Sequence, residues 1–64
     1  MKRTAWGFLW EDHERAGRWR WVIWSGGVQI RRARRDYASA RSARQALYRV
    51  GRALGLEIKR VTKG

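Results

Sequence analysis

The chain has 64 residues, with sixteen Lys plus Arg against five Asp plus Glu and a formal net charge of +11, giving a pI near 11.8. A chain this short is one small basic domain, residues 1–64, because folding units begin at about 50 residues and a unit of this size buries only roughly 60% of its unfolded surface. Cysteine is absent, which excludes disulfides, thiolate metal sites and thiol catalysis and suits a reducing, cytoplasmic compartment.

Met1-Lys2-Arg3 carries the charge of a signal-peptide start, but the apolar stretch from Ala5 to Trp10 is short and meets Glu11, Asp12 and Glu14, so a secretory signal is not expected. Within residues 5–10, Trp6, Phe8 and Trp10 share one face, the period of two that marks a half-buried strand. Residues 11–17 are polar, hold three of the five acids and end in glycine, which predicts a loop. A second strand over 18–24 puts Trp19, Trp21 and Ile23 on one face, and Arg18, Arg20, Val22 and Trp24 on the other. Ser25-Gly26-Gly27 supplies the residues of a tight hairpin turn.

The third strand is predicted from Val28 to about Arg34. Val28, Ile30, Arg32 and Arg34 lie on one side, and Gln29, Arg31, Ala33 and Arg35 on the other. Ser39 is the expected N-cap of a helix that runs to about Leu54 and stops at Gly55. Ala43, Ala46, Leu47, Val50 and Leu54 form its apolar stripe, opposite Arg41, Gln45, Tyr48 and Arg52. Gly51 flanks that stripe, so either the helix breaks there or its backbone lies close against a neighbour. Residues 56–61 suit a short fourth strand, and Thr62-Lys63-Gly64 a frayed end. The expected fold class is α+β: a three-stranded antiparallel sheet packed on one C-terminal helix, with a possible short fourth strand. No run of about 18 apolar residues is present, so no transmembrane helix is expected.

The charge points to a polyanion. Self-repulsion at this density opposes folding, and nucleic acid is the commonest partner that screens it. Lys2, Lys59 and Lys63 are the lysines, so thirteen of the sixteen bases are arginine, whose planar fork grips phosphate or guanine bidentately. A GC-rich genome also enriches arginine, but it does not explain the net charge.

The candidate binding residues are Arg18, Arg20, Trp24, Gln29, Arg31, Arg32, Arg34 and Arg35. With the helix over the Trp19/Trp21/Ile23 side, the other side of the sheet is expected to present Arg18, Arg20 and Trp24 beside Gln29, Arg31 and Arg35. Arginine there can read guanine, glutamine can read adenine, and the flanking bases can neutralise phosphates. Unpaired bases stacking on Trp24 or Trp10 are the other mode such a surface allows. Set against this, five tryptophans in so short a chain also serve as core, and a run such as Arg31-Arg32-Ala33-Arg34-Arg35 is often a solvated strand end.

Enzyme chemistry is not expected. His13 sits among Glu11, Asp12 and Glu14 on a loop with no second histidine, which lacks the geometry of a metal site or proton-transfer pair. Ser39 and Ser42 have no neighbouring base, and no glycine-rich phosphate loop is present. No cofactor and no metal are predicted. Arg and Trp together also occur in membrane-active peptides, but the hairpin, cap and helix signals here specify a globule, and no membrane partner is expected.

Two small-domain families share features with residues 17–50. The segments Gly17-Arg-Trp-Arg-Trp21, Gly27-Val-Gln-Ile30 and Tyr37-Ala-Ser39, followed by Ala43, Ala46 and Leu47, resemble the sheet and helix of AP2-like domains, including the arm-site-binding domains of tyrosine integrases. That resemblance implies DNA reading by the sheet, with Arg18, Arg20, Trp24, Gln29, Arg31 and Arg35 at or near the DNA and the helix in support. The same residues look like the YegP-like family, through its Gly-x-Trp-Arg-Trp strand and the Tyr-x-Ser start of its helix. Its members have no well-established activity and tend to pair, and the spacing from Phe8 to Asp12 departs from its pattern. The leading expectation is a small accessory protein that binds nucleic acid, DNA ahead of RNA. The rivals are a protein-interaction module or inhibitor that takes an acidic protein partner, and a homodimer that hides the exposed sheet.

Overall fold

The computed structural model describes residues 2–64; Met1, the first residue of the basic Met1-Lys2-Arg3 start, lies outside them. The elements in chain order are β1 (Arg3–Glu11), β2 (Trp19–Ser25), β3 (Val28–Arg32), α1 (Ala40–Ala53) and β4 (Leu56–Lys63). They form an α+β domain with one sheet in the order β3-β2-β1-β4. The β1/β2 and β2/β3 pairs are antiparallel, and β4 runs parallel to β1. Because β3 and β4 point the same way from opposite edges, α1 carries the chain diagonally across the sheet, as a crossover between parallel strands requires.

Local chemistry sets each boundary. Gly26 (φ 60) and Gly27 (φ 77) both occupy the left-handed region, the pair of positive φ values that a type I′ turn needs to match strand twist. The Ser39 hydroxyl accepts from the Ser42 N–H at 3.1 Å and caps α1. The helix ends at Leu54, whose N–H donates to Val50 O at 3.0 Å, and Gly55 follows.

Which side of the sheet the helix covers is decided by small residues. On β1 the buried positions are Ala5, Gly7 and Leu9, because α1 lies directly above them. A methyl group on Gly7 would come 2.6 Å from Leu47 Cδ1, and one on Gly51 would come 2.9 Å from Ile58 Cδ1. At both sites the helix and sheet are in contact where a side chain would stand, so Gly51 marks close packing and not a break. Leu9, Ile23 and Leu47 are fully buried at the centre, with Trp21, Ala43, Ala46 and Leu56 around them. The strand is half-buried, as its alternation predicts, and its aromatic side is the uncovered one.

Three sequence expectations need correction. The third strand ends at Arg32 and contains a bulge: Ile23 faces Arg31 while Trp24 faces Gln29, leaving Ile30 as the extra residue. The bulge breaks the alternation that put Gln29 and Arg31 on one side. The fourth strand forms as expected from Leu56 but pairs with β1 on to Lys63, two residues further than the pattern indicated. Thr62 and Lys63 lie in that strand, and the Gly64 N–H donates to Leu9 O at 2.8 Å, so the tail is tied to the sheet. Among the described residues no helix is long and apolar enough to cross a membrane.

Candidate nucleic-acid interface

The strand registers generate a two-dimensional map of the uncovered side, since directly paired residues point the same way. One row across the sheet reads Gln29, Trp24, Trp6 and Arg60 from β3 to β4. The next reads Arg32, Val22, Phe8 and Thr62. The third pairs Arg20 with Trp10. The rings of β1 thus form a central column, with cations along both flanks. Trp6 is 47% exposed, Trp24 42% and Phe8 38%, values far from those of core aromatics. Phe8 and Trp10 stack with centroids 5.9 Å apart and an interplanar angle of 25°. A shallow concavity beside this column is lined by Trp10, Arg20, Gln29, Arg32 and Arg34, with His13 at its loop end.

Four of the eight sequence-derived site residues therefore lie together on the map: Arg20, Trp24, Gln29 and Arg32. Arg34 follows β3 and lines the same concavity. Arg31 pairs with Ile23 on the helix side of the bulge, yet it stays exposed and borders the same concavity, because α1 contacts β1, β2 and β4 and does not reach β3. Arg18 is committed elsewhere. Its Nε and Nη2 both donate to Asp36 Oδ1, at 3.1 and 2.9 Å. Arg15 Nη1 approaches the other carboxylate oxygen at 3.5 Å. Hydrogen bonding from Arg18 holds the Asp36 carboxyl below its ordinary pKa of 3.8, outweighing the partial burial that pushes it up; the charges of Arg18, Arg15 and Arg20 add to the lowering. Arg35 lies over the Tyr37 ring, 4.8 Å from its centroid, and so helps to hold the β3–α1 connection.

The remaining acids form no ion pair with the cations of this face, although Asp12 and Glu14 border its concavity. Glu11 accepts from the Gly17 N–H, and Asp12 Oδ1 from the Glu14 N–H at 2.9 Å, so both shape the loop between β1 and β2. Glu57 pairs with Lys59 at 3.8 Å. Among the described residues, Arg20, Arg32, Arg34 and Arg60 make no ion pair with a carboxylate. His13 is exposed on the loop, and no group of three or more metal-ligating side chains converges among the described residues.

Sequence reasoning did not place Trp6, Phe8 and Arg60 in the site. The alternation of Trp6, Phe8 and Trp10 was visible, but the clue to its direction was the opposite run, Ala5-x-Gly7, whose lack of bulk lets a helix approach. Arg60 becomes a neighbour of Trp6 only through the parallel β1/β4 pairing. A second basic surface lies on the outer side of α1, where Arg41, Arg44, Arg49 and Arg52 are exposed. Comparisons with protein-family models, curated proteins and solved structures find no match to this chain.

Proposed function

We propose that this domain binds nucleic acid through the uncovered side of its sheet, with DNA as the first partner to test, and that it acts by binding and not by catalysis. The observation that carries this reading is the pattern on that side: exposed indole and phenyl rings flanked by Arg20, Arg32 and Arg60, with no carboxylate paired to those cations among the described residues. Cations without carboxylate partners on a chain of net charge +11 attract a polyanion and release its counterions on contact. The arginines of the helix surface extend the positive field to the back of the molecule, where they raise the rate of encounter without selecting a docking side.

The test is a titration with labelled duplex DNA, single-stranded DNA and RNA at two salt concentrations. The expected result is binding that weakens steeply as salt rises, by about 0.9 in log–log slope for each duplex phosphate contact. A domain that ignores all three at low ionic strength does not bind nucleic acid, and an acidic protein is then the partner class that fits the same rings and cations.

A further inference from the structure

Resting on that nucleic-acid reading, we infer that the strand taken by the uncovered sheet is single, with unpaired bases stacked on Trp6, Phe8, Trp10 and Trp24 and its phosphates held by Arg20, Arg32 and Arg60.

The position of the rings separates this from duplex binding. In a duplex the flat faces of the bases are hidden inside the stack, and only phosphates and base edges are presented. Here the rings occupy the middle of the surface and the cations its flanks, so a duplex would meet its least useful contacts at the centre. Size argues the same way. Four strands spaced about 4.8 Å apart span about 14 Å between outer backbones before side chains are counted, more than the major groove of about 12 Å. A single strand has neither constraint, because every unpaired base offers a ring face. Trp6 and Phe8 lie two residues apart on one strand, about 6.8 Å, which is twice the rise of about 3.4 Å per nucleotide in one strand of a duplex. A strand stretched to that spacing sets consecutive bases on Trp6 and on the Phe8/Trp10 stack.

Charge also selects against other occupants of the same side. A second copy docked face to face would press two chains of net charge +11 together, with Arg20, Arg32 and Arg60 of both on the shared face and only Asp12 and Glu14 at its edge to offset them. The acids that do lie nearby, Asp12 and Glu14, border the concavity at the Trp10 end. They repel phosphate at that end of the sheet.

The experiment measures a labelled oligothymidylate, an oligouridylate and a DNA duplex of equal length against the full chain, at one salt concentration, by anisotropy and by quenching of tryptophan fluorescence. Single strands are expected to bind at least about tenfold more tightly than duplex and to quench the indole emission, with the two oligonucleotides distinguishing DNA from RNA. Trp6→Leu, Phe8→Leu and Trp24→Leu keep apolar bulk but remove the ring. Each should weaken single-strand binding by about 5- to 150-fold, the range for one lost base stack, and leave duplex binding unchanged. Trp6→Phe keeps a ring and should retain most of the affinity, which separates lost stacking from lost folding. Duplex binding as tight as single-strand binding, or leucine variants that bind like the parent, overturns the inference while leaving nucleic-acid binding intact. Absence of binding to all three probes overturns both. A dimer in sedimentation that the leucine variants dissociate also overturns it, since the rings would then face a second copy.

Discussion

The electrostatic map makes a quantitative demand on the salt dependence of binding. Replacing Arg20, Arg32 and Arg60 together by glutamine removes three positive charges from the formal +11, leaving +8. Replacing Arg41, Arg44 and Arg52 on the outer side of α1 removes the same number. If each sheet arginine neutralises one phosphate, the sheet triple variant should flatten the log–log salt slope by about 2 on a single strand and about 2.7 on a duplex. Between about 50 and 200 mM salt, that is about 20-fold or 40-fold less loss of affinity than the parent suffers. The helix triple variant should weaken encounter at low salt through the smaller net charge, yet keep the parent slope. Anisotropy titrations across that salt range compare the two sets directly. Equal flattening by both triples would refute the site, because binding would then follow total charge and not the geometry of the uncovered sheet.

Three further expectations concern the scaffold that holds this surface. Gly7→Ala places a methyl 2.6 Å from the fully buried Leu47 and should cost about 1–3 kcal/mol by overpacking. Leu47→Ala should cost about 2–5 kcal/mol, and the double variant less than the sum, because Leu47→Ala vacates the space the new methyl needs; urea unfolding of the four proteins checks this. Asp36 binds Arg15 and Arg18 with its carboxyl held below the ordinary 3.8. Its contribution is complete above that value and disappears as pH falls through the lower folded-state value. Asp36→Asn should therefore flatten the loss of stability seen on acidifying the parent below about pH 4, read by circular dichroism, and an unchanged acid limb would remove Asp36 from that role. Ser39→Ala removes the cap of a helix whose first turn contains no acid and should destabilise by about 0.5–2 kcal/mol, measured by thermal unfolding.

Local signals along the chain were enough for the element types. The glycine pair at 26–27 marked the hairpin, Ser39 the helix start, Gly55 its end, and the alternation of bulk and charge the strands, because each of these is a property of a few neighbouring residues. Charge was equally legible, since it is a sum and needs no geometry. Arg20, Trp24 and Gln29 were within reach of such reasoning, being on adjacent strands of one hairpin whose turn sets the register.

What the chain order could not decide was sidedness. The direction of β1 depends on Leu47, forty residues away, resting on Gly7, and this sends Trp6, Phe8 and Trp10 outward in place of inward. The sides of Arg31 and Arg32, expected the other way round, depend on a bulge at Ile30, a backbone irregularity that alternation assumes absent. Arg18 is paired because Asp36 lies across from it, and Arg60 joined the site because β4 pairs parallel with β1. Each of these is a contact between distant parts of the chain, and such contacts arise from packing and long-range pairing, which a reading of neighbours in sequence does not contain.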